Sequence, residues 1–284
     1  MQITLLDKNQ DIYILQLDSS NYIRFCPARG GLITHWVSND EDILYFDEKR
    51  FLDTTKSIRG GIPILFPICG NLDIQNSLFG KEYLQLMQHG FARDLRWEYW
   101  LNKRKKSLCL CLKDSETTKK YFPFAFEVII EINLTINCLN FEINIKNKSN
   151  LDMPINFGLH PYFNISDFKN LDFMDYPRNC HDQKHNVLSN TDDQLKNISN
   201  GIDLLMYTSG KSSFRDNLYK RKVTIKHFYP FELGVIWSDP PRKMVCLEPW
   251  TSPRNSLVDG FREILISPNS FQKLDASIQI DTFK

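Results

Sequence analysis

Hydrophobic and polar positions alternate along most of this chain. Between residues 124 and 136 every even position is apolar: Phe124, Phe126, Val128, Ile130, Ile132, Leu134 and Ile136. Glu127, Glu131, Asn133 and Thr135 occupy polar positions between them. After a polar turn at residues 137–140, Phe141, Ile143 and Ile145 alternate with Glu142, Asn144 and Lys146. Period two on both sides of a short polar connection predicts an antiparallel hairpin with one buried face, because successive strand side chains point to opposite sides. In residues 108–112, Leu108, Leu110 and Leu112 alternate with Cys109 and Cys111, so both faces are apolar and a strand covered on both sides is expected. Further strands are expected at 12–17, 223–227, 233–237, 244–247 and 263–266. No long capped amphipathic helix is evident, which predicts an all-β antiparallel sandwich. Residues 167–201 are polar and read as a long insertion with room for a short strand. Strands of the same kind resume after it, so residues 1–284 are expected to form a single domain.

Composition narrows the class. The 284 residues are 42% hydrophobic and 24% charged, as in a folded globular protein. A formal net charge of +1 lacks the basic excess that nucleic acid or an anionic membrane surface attracts, so neither partner is expected. The one dense basic run, residues 103–106, is expected to be a solvated turn. Seven cysteines, an odd number without a CxxC pair, read as reduced buried thiols. With no apolar leader and no stretch near the ~20 apolar residues that span a bilayer, a cytoplasmic location is expected. Near-neutral charge and the absence of heptads leave a monomer as the expectation.

Four segments look unlike core or ordinary loop. In Ile58-Arg59-Gly60-Gly61-Ile62-Pro63, followed by Phe66-Pro67-Ile68-Cys69-Gly70, the glycines and prolines force turns, and Arg59 can fork onto a hydroxyl or a phosphate. A plain turn with Arg59 in solvent is the competing reading. Gln88-His89-Gly90-Phe91-Ala92-Arg93 suits a loop presenting polar groups in a cleft, and a structural histidine fits it equally. In Phe157-Gly158-Leu159-His160-Pro161-Tyr162-Phe163, the proline holds His160 extended at a strand end between aromatic residues. A buried, hydrogen-bonded histidine would look the same. Val245-Cys246-Leu247-Glu248-Pro249-Trp250 carries one carboxylate in an apolar run, which is costly to bury unless it is paired or functional.

These four segments, in this order, resemble the aldose 1-epimerase (galactose mutarotase-like) superfamily, nearest its hexose-6-phosphate 1-epimerase branch. The resemblance implies a large antiparallel β-sandwich with a shallow sugar cleft, no metal and no organic cofactor. It implies an isomerase acting on a small-molecule sugar or sugar phosphate. His160 falls on the family's general acid and Glu248 on its general base. His89 matches a substrate-orienting histidine, and Arg59 and Arg93 match arginines that hold phosphate in the sugar-phosphate branch. Asp203, in Gly201-Ile202-Asp203-Leu204, aligns with an aspartate that contacts sugar hydroxyls. The chain departs from the family at Ile68 and Cys69, where aromatic residues are common, which implies an altered cleft wall. Anomer exchange by ring opening needs one group to take the C1 hydroxyl proton and another to protonate the ring oxygen, roles for Glu248 and His160.

Three rival readings differ in class. A non-catalytic sugar-binding protein could use the same fold, but it would be free to lose either proton-transfer residue. A metal site of His89, His160 and Glu248 lacks the local spacing of ligand sets. A glycosidase would need two facing carboxylates, and only Glu248 is a convincing candidate.

Overall fold

The computed structural model describes residues 1–73 and 78–284. Two long antiparallel sheets form the body. Sheet 1 runs, in spatial order, Leu171–Met174, Lys211–Asp216, Arg221–His227, Phe271–Thr282, Cys138–Asn147, Phe126–Leu134, Ser107–Lys113 and Glu98–Asn102. Sheet 2 runs Val187–Asn190, Asn179–Asp182, Asp203–Tyr207, Leu233–Trp237, Met244–Trp250, Gly158–Leu159 and Ile64–Leu65, with Tyr162–Asn164 also pairing on Met244–Trp250. Five strands between residues 3 and 42 make a smaller sheet. One continuous apolar cluster joins the large sheets: Ile130, Ile143, Ile225 and Ile278 from sheet 1 meet Leu204, Ile236, Val245 and Leu247 from sheet 2. The expected all-β sandwich is the fold. Among the described residues no helix is long and apolar enough to cross a membrane.

The central hairpin follows the alternation. Val128 faces Ile145, Ile130 faces Ile143 and Ile132 faces Phe141, all buried. On the outer face Glu131 stands directly opposite Glu142, a like-charge pair that would weaken the ladder. Lys105 Nζ sits 2.9 Å from a carboxylate oxygen of each. The basic run is therefore a turn, as expected, and one of its lysines neutralises this repulsion.

The edges differ from expectation. Cys138 already begins the second strand, so the turn is shorter than residues 137–140, and Ile136 falls in it, 50% exposed. The polar stretch 167–201 is more ordered than a loop with one strand. Leu171–Met174 extends sheet 1, and the hairpin Asn179–Asp182 with Val187–Asn190 extends sheet 2. The strand expected at 244–247 runs on through Pro249 to Trp250. All seven cysteines are free and six are buried; Cys138 is half-buried.

Candidate active site

Register on sheet 2 builds the site. Val245 and Leu247 point into the core, so Cys246, Glu248 and Trp250 point to the opposite face. Residues directly opposite in an antiparallel pair share a face. Trp237 lies opposite both Asp203 and Cys246, and Tyr162 also lies opposite Cys246, which aligns four side chains across four strands. Val235 opposite Glu248 belongs to the next row. The site thus stands on the outer face of sheet 2, back to back with the core. Glu248 is 2% exposed because loops cover that face, not because it enters the sandwich interior.

Those loops are the other three motifs. The His160 amide donates to the Pro63 carbonyl at 3.0 Å, and the Tyr162 amide to the Gly61 carbonyl at 2.9 Å, which ties the Arg-Gly-Gly segment beside the His-Pro-Tyr segment. The His89 amide donates to the Gly70 carbonyl at 2.8 Å, and the Gly70 amide donates to His89 Nδ1 at 3.0 Å. Nδ1 is thereby an acceptor, so the neutral imidazole carries its proton on Nε2. Burial, then the neighbouring His160 and the cleft arginines, push the His89 imidazole well below its ordinary value. The turn needs Gly90, with φ +72°: a Cβ there would lie 2.1 Å from the Phe66 carbonyl oxygen. We expect Gly90→Ala to cost at least about 2 kcal/mol, from left-handed strain plus backbone overlap. Chemical denaturation measures this, and a loss below about 0.5 kcal/mol, the range of a neutral surface change, would contradict it.

All six expected side chains, Arg59, His89, Arg93, His160, Asp203 and Glu248, line one cavity of about 150 Å³. His160 Nε2 lies 3.4 Å from Glu248 Oε1. The His160 ring stacks on Tyr162 at 4.6 Å between centroids, and the edges of Trp237 and His89 enclose it. Glu248 Oε2 accepts from Trp250 Nε1 at 3.0 Å. Burial, then Arg93 and Arg59, hold the His160 imidazole well below its ordinary range. Burial, then Asp203, hold the Glu248 carboxyl well above its own, against the opposing influence of Trp250, Arg254 and Arg59. A separation of 3.4 Å exceeds the about 2.7–2.9 Å of a charge-assisted hydrogen bond. Both shifts, and this longer separation, favour the neutral forms, a carboxylic acid beside an imidazole, over a carboxylate–imidazolium pair.

Cations stand around this pair. Arg59 lies 3.5 Å from Asp239, with its guanidinium 5.4 Å from the centroid of the Trp237 ring. Arg93 donates from Nη2 to the Gln88 carbonyl at 2.9 Å, while its buried Nε makes no hydrogen bond. Asp203 receives Arg254 Nη2 at 2.8 Å and Gln183 Nε2 at 2.7 Å. Trp250, the last residue of the fourth motif, lines the cavity, as do Arg254 and Trp237, which the motifs did not assign. The signal for Arg254 was its place in Thr251-Ser252-Pro253-Arg254, a proline-marked turn just beyond Glu248. Ile68 and Cys69 are buried and neither lines the cavity, so the expected change of cleft wall does not occur at them. Cys69 instead packs behind the site with Leu65, Leu233, Val235 and Trp250.

Comparison with known proteins follows the same contours. The sequence model described as aldose 1-epimerase matches residues 14–268. The crystal structure of the Slr1438 protein from Synechocystis sp. PCC 6803 superposes with a TM-score of 0.89 at 35% identity, covering 96% of each chain. The galactose mutarotase related enzyme of Lactobacillus acidophilus has a TM-score of 0.74 at 23% identity, over 95% of this chain and 97% of its own, a likeness of fold. A Cenchrus ciliaris protein, named provisionally as a glucose-6-phosphate 1-epimerase, is 30% identical over 164 residues, 52% of this chain and 46% of its own. The chain spans about half the length of the curated relatives it matches first.

Proposed function

Because the chain belongs to the aldose 1-epimerase family, we propose that it interconverts the α and β anomers of a hexose 6-phosphate by acid–base ring opening. Glu248 takes the C1 hydroxyl proton and His160 protonates the ring oxygen. The observation that carries this reading is the 3.4 Å contact of Nε2 with Oε1 across one cavity. The two oxygens to be served are bonded to the same carbon, so acid and base must nearly touch. Opening converts Glu248 carboxylate with His160 imidazolium into carboxylic acid with imidazole; closing on the other face reverses it. The pair holds one proton throughout, and the side chains return to their starting state without a cofactor.

The arginines favour a phosphorylated substrate for a further reason. Arg93 and Arg59 are the charges that depress His160. A phosphate seated on them neutralises that field and raises the proton affinity of the imidazole. The shared proton then moves from Glu248 to His160, the arrangement ring opening requires. Arg254, held on Asp203, and the Nε2 proton of His89 remain to orient hydroxyls.

Anomer exchange followed by NMR on glucose 6-phosphate, glucose and galactose tests the reading. Acceleration greatest for the phosphate ester is expected. Rates equal to those without protein, for all three, would overturn it. Arg93→Met should lower kcat/KM for the ester about 10- to 100-fold by removing charge-assisted hydrogen bonds, with a far smaller loss on free sugar. Equal losses would argue against a phosphate contact.

A further inference from the structure

Directly below the proton-transferring pair lies a group that ring opening does not use. Cys246 shares the outer face of its strand with Glu248, two residues on, and stands opposite Tyr162, the ring on which His160 stacks. Its thiol is fully buried among Tyr162, Met244, Tyr45 and Trp237. The sulfur reaches Met244 Sδ at 4.0 Å, a weak contact for a polar atom. One nitrogen, one sulfur and one oxygen, from His160, Cys246 and Glu248, all lie within 4.8 Å of one another. A tetrahedral zinc ion with the usual bond lengths places such donors roughly 3.3–3.7 Å apart. The His160–Glu248 separation of 3.4 Å already meets that spacing. With every separation within 4.8 Å, the thiol needs to close by about 1.5 Å at most to complete three ligands.

We infer that His160, Cys246 and Glu248 form a binding site for a soft or borderline divalent cation of the zinc class, and that its occupancy blocks the active site. Thiolate and imidazole select such ions over magnesium or calcium, which prefer oxygen donors. Binding exchanges the S–H bond of Cys246 for a metal–sulfur bond and frees the imidazole nitrogen and carboxylate oxygen for the ion, so two protons, the thiol's and the one held by the His160–Glu248 pair, leave to solvent. No oxidant or reductant is involved. The ion takes the imidazole nitrogen and carboxylate oxygen that would serve the sugar, so metal and substrate exclude each other. The ligand set differs from the His89, His160 and Glu248 trio weighed from sequence: His89 Nδ1 is occupied by the Gly70 amide, and Cys246 supplies the third donor.

The inhibitory half of this inference rests on the proposed epimerase activity; the binding half does not, and cobalt separates them. The metal-free protein titrated with Co²⁺ is expected to take up one equivalent with a near-ultraviolet thiolate-to-cobalt band, which Zn²⁺ abolishes by displacement. Zn²⁺ is expected to inhibit anomer exchange competitively with sugar, reversibly with a chelator. Cys246→Ala should lose the band, retain exchange in metal-free buffer, and need at least about 100-fold more Zn²⁺ for half-inhibition, beyond the loss that removing an outer-shell partner causes. Cys246→Ser keeps the side-chain volume and should also lose the band. If neither variant folds, zinc-edge X-ray absorption of the wild-type protein decides, with one sulfur and two nitrogen or oxygen ligands from the protein expected. A cobalt band that survives both substitutions, or a zinc shell without sulfur, would overturn the site. Strong zinc binding without any metal-free exchange would overturn the function and leave the site standing.

Discussion

Glu248→Gln is expected to lower the anomer-exchange kcat by about 10²–10⁴-fold, the usual contribution of one positioned acid or base. Glutamine has the shape of a protonated carboxyl, the form that burial and Asp203 favour for Glu248. Its side-chain carbonyl can still accept from Trp250 Nε1, as Glu248 Oε2 does at 3.0 Å. It also removes an ionisable group from a buried position, so thermal stability should be unchanged or slightly raised. Substrate affinity should change little, because the arginines and Asp203 are untouched and the lost interaction is one made in the transition state. NMR exchange for kcat and KM, with a melting curve for the fold, separates these quantities. A folded variant turning over at the wild-type rate would remove Glu248 from the chemistry. A rise in KM alone would reduce it to a binding residue.

Much of the scaffold was legible because one face of each central strand is buried. Phe126–Leu134 follows the period-two reading residue for residue, since a one-residue slip would turn every apolar side chain outward; Leu233–Trp237 takes the expected bounds although four consecutive residues of it are buried. Reading failed where burial is uneven. Phe271–Thr282, the longest strand, was missed: Leu274, Ala276, Ile278 and Ile280 do alternate, but small and polar residues dilute the pattern. Residues 167–201 read as an insertion with room for one short strand because the strands there lie at or next to sheet edges. Ile136 kept the alternation one step beyond the point where the chain turns.

The site was legible to a different depth. The four motifs supplied Arg59, His89, Arg93, His160 and Glu248, and every one of them lines the same cavity. Composition could not supply the pairing register that sets Asp203 and Cys246 opposite Trp237, and so it missed Trp237, Arg254 and the position of Cys246 beneath Glu248. Adjacency across strands is a property of the sheet. A cysteine in an apolar run reads as core whichever face it takes.

His160→Ala should lower kcat by a similar factor of about 10²–10⁴, and the pH profile should identify the cause. Ring opening and closing both require one proton on the His160–Glu248 pair, so activity fails when the pair gains a second or loses its only one. Burial, Arg93 and Arg59 make the second proton hard to add, so the acid limb of kcat/KM should fall below the ordinary histidine value of about 6.5. Burial and Asp203 make the only proton hard to remove, which carries the alkaline limb well above the ordinary carboxyl value of about 4.3. Both limbs are properties of the pair. With the ester bound, neutralised arginines should move the acid limb of kcat upward relative to that for free sugar, a shift that a merely structural histidine would not produce. In the alanine variant, residual activity should lose the substrate-dependent acid limb altogether. A wild-type limb at the same pH for ester and free sugar would separate the arginines from the imidazole. A folded His160→Ala protein with an unchanged profile would mean that protonation of the ring oxygen comes from elsewhere, with Nε2 of His89, whose ring lies 5.5 Å from that of His160, one alternative.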